Sequence, residues 1–214
     1  ASPIWRWIDR FSAGFDVSLV DESDSIASLA IQGPRSRAIL EQAMGDEIPL
    51  RYFQLATMSL DGIPVEISRT GYTGDLGYEL WCQPEHSTAL WDRLMEAGKP
   101  HRLLPVGLDA LDIVRIEAGF VLQGIDYYSA PTCLIESRKS SPFEAGIGFA
   151  VDLDRDSFVG SEALEREKRM PARWKLVGLE LSLPDIEELY ASVGLPPALP
   201  IEACRTSRPV HLRG

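Results

Sequence analysis

Apolar residues recur at helical spacing near the start of the chain. Ile4, Trp7, Ile8 and Phe11 share one face and predict a helix over 4–13. Residues 15–20 and 26–32 alternate apolar with polar positions, the signature of strands that bury one face. Gly33-Pro34 ends the second of these, and a helix follows over about 34–44. Residues 52–59 and 63–69 alternate on either side of Asp61-Gly62, a dipeptide favoured in two-residue hairpin turns. A glycine-rich turn, Gly71-Tyr72-Thr73-Gly74-Asp75-Leu76-Gly77, leads into a further strand over 78–82. Helices are predicted over about 84–97, with Leu90, Trp91 and Leu94 inward, and over about 107–118, with Leu108, Leu111 and Ala118 as the core stripe. Residues 119–160 read mostly as loop with a short strand near 148–151. Ser161 opens a charged helix, 174–183 reads as a strand, and Pro184-Asp185 starts a helix reaching about residue 190. From Leu195 the chain is proline-rich and reads as a linker, and 205–214 reads as a strand ending at a turn. The sum is an α+β fold, an antiparallel sheet with helices on one face.

Composition narrows the function. Of 214 residues, 45% are apolar and 25% charged, which excludes disorder as the main state. Twenty-one basic against 32 acidic residues leave a net charge of −11, opposite to what a phosphate-tracking protein needs, so no nucleic-acid partner is expected. No run approaches the roughly 18 apolar residues of a membrane span, so no membrane partner is expected either. Cys82, Cys133 and Cys204 are odd in number and far apart, which fits no disulfide framework and no zinc spacing; a cytoplasmic setting and no metal are expected. Residue 1 is Ala and both ends look cut, so the sequence reads as an internal piece of a longer chain.

The candidate chemistry sits in the glycine turn. A dinucleotide reading fails because a strand, not a helix N-terminus, follows it. Three glycines within seven residues permit positive φ and let a ligand approach the backbone. Tyr72 lies at the apex, and Glu79 lies two residues beyond the turn on the strand face opposite Tyr78 and Leu80. One carboxylate can accept two parallel hydrogen bonds from the N–H edge of a flat heterocycle, and an aromatic ring can stack on its plane. The same residues also describe a plain hairpin with a surface Glu. In the helix after Gly107, Asp112 and Arg115 stand three apart and read as a surface ion pair worth a few tenths of a kcal/mol.

Four segments, taken in order and spacing, resemble the glycine-cleavage aminomethyltransferase (T-protein) family. They are Ser68-Arg69-Thr70-Gly71-Tyr72-Thr73-Gly74-Asp75-Leu76-Gly77-Tyr78-Glu79, then Gly107-Leu108-Asp109-Ala110-Leu111-Asp112-Ile113-Val114-Arg115-Ile116-Glu117-Ala118-Gly119, then Pro142-Phe143-Glu144-Ala145-Gly146-Ile147-Gly148-Phe149-Ala150-Val151, and Phe158-Val159-Gly160. Leu29-Ala30-Ile31-Gln32-Gly33-Pro34 matches the family's upstream strand-to-helix turn. The resemblance implies a tetrahydrofolate-dependent one-carbon (aminomethyl or methyl) transferase, with a non-catalytic folate-binding module as the alternative. Tyr72 and Glu79 fall on the family's pterin contacts, Arg115 and Glu117 on its helix motif, and Phe120 keeps an aromatic where the family often has one; Tyr72, Glu79, Arg115 and Phe120 become the candidate folate-binding residues. The implied partners are a small-molecule methyl or aminomethyl donor and a lipoyl carrier protein. Leu111 stands where the T-protein has an Arg, which looks more like the dimethylglycine and sarcosine branch. The resemblance also places the family's catalytic Asp before residue 1. It assigns 1–170 to the folate-binding domain, lacking its N-terminal part, and 171–214 to the incomplete beginning of a C-terminal barrel domain.

Overall fold

The structure is a computed structural model that describes residues 3–130, 133–170 and 174–198. Two compact units divide the chain, one of residues 14–120 and one of 1–13 with 121–214.

In the 14–120 unit, the alternating segments form one four-stranded antiparallel sheet of order β1-β4-β3-β2. Its strands are β1 (Ala27–Gln32), β2 (Leu55–Leu60), β3 (Ile63–Ser68) and β4 (Gly77–Cys82). The β2–β3 hairpin closes on Asp61 (φ 49°) and Gly62 (φ 88°), the left-handed pair that a type I′ turn requires. Two helices, α2 (Ser36–Met44) and α3 (Ser87–Gly98), bring Ile39, Leu40 and Ala43, and Leu90, Leu94 and Ala97, into a core with Val65, Ile67, Tyr78 and Leu80. Period-2 strands and period-3.6 helices each put their apolar positions on that one layer, so the α+β expectation holds. Helix α4 (Leu108–Glu117) completes the unit.

In the other unit the regular elements are α1 (Pro3–Ser12), α5 (Ser161–Lys168) and α6 (Leu183–Ser192), joined by turns. Ser182 caps α6 by accepting from the Asp185 N–H. No helix among the described residues is long and apolar enough to cross a membrane.

Several expectations are corrected. Residues 15–20 join no strand, and Phe15 is 72% exposed: alternation marks a face, and here no neighbouring strand covers it. Gly148–Ala150 is a short 3-10 turn rather than a strand, with Phe149 exposed. The 174–182 segment forms no ladder among the described residues; Leu176 N–H donates to the Glu144 carbonyl at 3.1 Å, and Trp174, Val177 and Leu179 are exposed. Trp91 on α3 is left partly exposed and joins no core. The strand expected over 205–214 lies outside the described residues.

The largest correction is in α4. Leu108 is 78% exposed and Ala118 is exposed, while Asp112 and Arg115, the expected surface pair, are 6% and 1% exposed. The helix turns its ion pair inward because the guanidinium finds both a carboxylate and a backbone carbonyl there. A buried charge is tolerated when it is paired and hydrogen-bonded.

Candidate functional site

The loop between β3 and β4 carries Tyr72 and leads to Glu79. The two ends of the loop's polar chain are placed by strand geometry. Ser68 ends β3 directly opposite Glu79 in the ladder, so both side chains project from the same sheet face. The Thr70 hydroxyl donates a short hydrogen bond to Glu79 Oε2, and the Ser68 hydroxyl is in short contact with Thr70 Oγ1. Since Thr70 has one proton and gives it to the carboxylate, Ser68 is the donor to Thr70. The chain Ser68→Thr70→Glu79 fixes one carboxylate oxygen and leaves the half-buried group with further acceptor capacity. Tyr78, Leu80 and Cys82 point to the core instead. Burial raises both the Tyr78 phenol and the Cys82 thiol above their usual pKa, as it does for any acid whose charged form loses water.

The three glycines divide the work differently from expectation. Only Gly74 of the three has positive φ, at 75°, and a Cβ there would lie 2.5 Å from Ala118 Cβ at the end of α4. A Cβ at Gly71 or Gly77 would overlap the Gln32 carboxamide. The group these two glycines admit is a side chain of the protein. Gln32 Nε2 donates to the Thr70 and Tyr78 carbonyls at 3.4 and 3.3 Å, and Thr73 Oγ1 donates to Gln32 Oε1 at 3.1 Å.

Helix α4 reaches the same loop at its C-terminal end. Gly119 (φ 76°) donates to the Ile116 carbonyl at 2.9 Å and Phe120 N–H to the Arg115 carbonyl at 2.8 Å, the paired bonds of a Schellman ending. Arg115 then closes a second link: Nε donates to Asp112 Oδ1 at 3.0 Å and Nη1 to the Phe120 carbonyl at 3.1 Å. Phe120 is thus held at both its N–H and its carbonyl by one residue. Its ring stacks on Tyr72 with centroids 5.5 Å apart and planes 11° from parallel.

The structure therefore brings Tyr72 and Phe120 into one aromatic pair, ties Glu79 to Thr70 at the start of the same loop, and bonds the buried Arg115 side chain to the Phe120 carbonyl. Gln32, Ser68, Thr70 and Asp112 are the members sequence reading passed over. Gln32 lies 38 and 46 residues from its carbonyl partners, and no local pattern signals that contact. The Ser68, Thr70 and Glu79 set was marked by two hydroxyls at i and i+2 before a carboxylate on the next strand. A cleft of about 710 Å³ runs along the open edge of β1, lined by residues 28–33, Trp91, Leu94, Leu111 and the loop residues Thr73 and Asp75. None of Tyr72, Glu79, Arg115 or Phe120 lines it.

Comparison with known proteins gives the family of the chain. The model of the GCVT N-terminal domain family matches residues 1–155, and the chain belongs to that family. It is 43% identical over 189 residues to the trimethylamine-oxide aldolase of Ruegeria pomeroyi, covering 82% of this chain and 23% of that protein. It is 40% identical over 178 residues to the aminomethyltransferase of Halothermothrix orenii, covering 83% of this chain and 47% of that protein. Among solved structures it resembles the glycine cleavage system aminomethyltransferase T of Bartonella henselae, with TM-score 0.63 and 27% identity, over 78% of this chain and 42% of that one. The chain spans about half the length of the aminomethyltransferases it matches.

Proposed function

We propose that the protein acts as a tetrahydrofolate-dependent one-carbon transferase whose pterin site is built from Tyr72, Phe120 and Glu79. The observation that carries this reading is that one β3–β4 segment holds both Tyr72, stacked on Phe120, and Thr70, whose hydroxyl orients the Glu79 carboxylate. Such a pair offers a platform for a flat heterocycle, and the second oxygen of Glu79 accepts from an N–H edge. The family and the named relatives support it. Tetrahydrofolate, when bound, supplies the nitrogen nucleophile that takes up the one-carbon unit. The residues of this chain bind, orient and screen from water, which is the protein's share when a cofactor carries the chemistry. Arg115 serves through Phe120, since its guanidinium is buried against Asp112 and the Phe120 carbonyl.

The donor is an N-methylated or related small molecule. The name of the Ruegeria relative supports this, and so does Leu111, which stands where the resemblance puts an Arg in the T-protein. Robust ammonia release from an aminomethyl-lipoyl carrier would overturn that choice.

The test of the site is Glu79→Gln, which keeps the shape and sets an N–H against the ligand's N–H. Calorimetry with 5-formyl-tetrahydrofolate should show a loss of about 2–3 kcal/mol, as for one charged hydrogen bond replaced by an unsatisfied donor. Unchanged affinity would remove Glu79 from the site.

A further inference from the structure

We infer that Gln32 is the positioning residue of the candidate site, a brace that fixes Tyr72 and Glu79 relative to each other. The inference rests on the folate reading for what the site holds, and on the geometry alone for what Gln32 does.

Tyr72 and Glu79 lie on one loop, and a loop of seven residues with three glycines has many conformations to lose. Gln32 removes that freedom at three points. Its amide nitrogen takes the carbonyl of Thr70 just before the loop and that of Tyr78 just after it. Its oxygen takes the Thr73 hydroxyl, one residue beyond Tyr72. Two carbonyls facing one end of the amide also settle which end is nitrogen. Thr70 is the residue that donates to Glu79, and Tyr78 is Glu79's chain neighbour, so the same carboxamide is linked to both sides of the carboxylate.

Backbone links place Gln32 for this. It ends β1 opposite Gly77, the Gly33 N–H donates to the Leu76 carbonyl at 2.8 Å, and the Ser36 hydroxyl donates to that same carbonyl at 3.1 Å. Gly71 and Gly77 are then explained together. Neither is needed for positive φ, and either with a Cβ would expel the carboxamide.

The variants are Gln32→Glu, which turns a carboxylate oxygen toward two carbonyls, Gln32→Ala, and Gly77→Ala, which keeps the glutamine but displaces its carboxamide. Amide exchange over residues 70–78, read by mass spectrometry on the purified protein without ligand, should quicken by about tenfold in each variant. Exchange in β3 and the core of β4 should stay slow. Affinity for 5-formyl-tetrahydrofolate should fall by about tenfold or more. In the double variant Gln32→Ala/Gly77→Ala, the second change should add nothing, because the group it displaces is gone. Should the Gln32 variants fail to fold, Gly77→Ala alone gives the same exchange readout.

Unchanged loop exchange would overturn the proposal. So would faster exchange with undiminished affinity, or additive losses in the double variant. A folded wild-type protein that binds no folate would sink the folate reading, while the exchange data would still decide the role of Gln32.

Discussion

Residues 14–120 and residues 121–198 show the same kinds of sequence pattern with opposite results. Among the described residues, every buried apolar side chain except Ala145 lies in 14–120. Helices α2 and α3 each bury four residues, whereas α5 and α6 bury none. The alternation in 26–32, 55–60 and 63–68 ends in a ladder, and the alternation in 174–182 stays solvated. A periodic pattern specifies a face and leaves open whether another element lies against it. In 14–120 the hairpin turn and the β3–β4 loop bring β2, β3 and β4 together, and β1 pairs with β4 from far along the chain. The comparison also shows where a polar network is affordable: the Asp112–Arg115 pair and the Gln32 brace lie in the unit that has a core.

The sharpest way to break that contrast is to remove Arg115. Arg115→Met leaves the buried Asp112 carboxylate facing an apolar side chain, and breaking a buried ion pair costs about 3–5 kcal/mol. Urea denaturation should show a loss of that size, with the Phe120 ring released from its stack on Tyr72. A loss below about 1 kcal/mol would mean that the pair behaves as the surface bridge the sequence suggested.

Next in size is a paired truncation, one in each unit. Leu80→Ala empties a site with no exposure at the centre of β4 and should cost about 3 kcal/mol. Leu179→Ala acts on a side chain that is 66% exposed and should stay within about 0.5 kcal/mol of wild type. Similar losses at both positions would erase the distinction between the units.

Much of this was legible in the sequence. The hairpin at Asp61-Gly62, the helices flanking it and the placement of Glu79 opposite Tyr78 and Leu80 all follow from local rules. Tyr72, Glu79 and Phe120 were marked as candidates, and the fold puts them on one loop and the helix end that stacks against it. What could not be read was set by distance along the chain. The Gln32 carboxamide meets carbonyls about 40 residues away, and only the assembled sheet shows why two of the glycines must lack a Cβ. Asp112 and Arg115 were misplaced for a different reason. An i,i+3 pair looks the same on paper whichever way the helix is turned, and its burial depends on the Phe120 carbonyl beyond the helix end.

The smallest effect tests whether a partly exposed charge in the core-bearing unit contributes at all. Glu41 on α2 accepts from Arg37 Nε at 2.8 Å and from the Ile48 N–H at 3.1 Å. These bonds, Arg37's first, hold its carboxyl below the ordinary value of 4.5. A carboxyl that is more acidic when folded stabilises the fold in its charged form. Its contribution is therefore complete above the ordinary value and is lost as the pH falls through the lower folded one. Solvent screening keeps the size modest, so Glu41→Gln should cost about 0.5 kcal/mol at pH 7. Wild type and variant should converge in urea midpoint as the pH falls below 4.5 and on through the lower folded value, because the wild-type side chain is then neutral as well. A difference that persists unchanged into acid would assign the loss to the Ile48 N–H contact and not to the carboxylate charge.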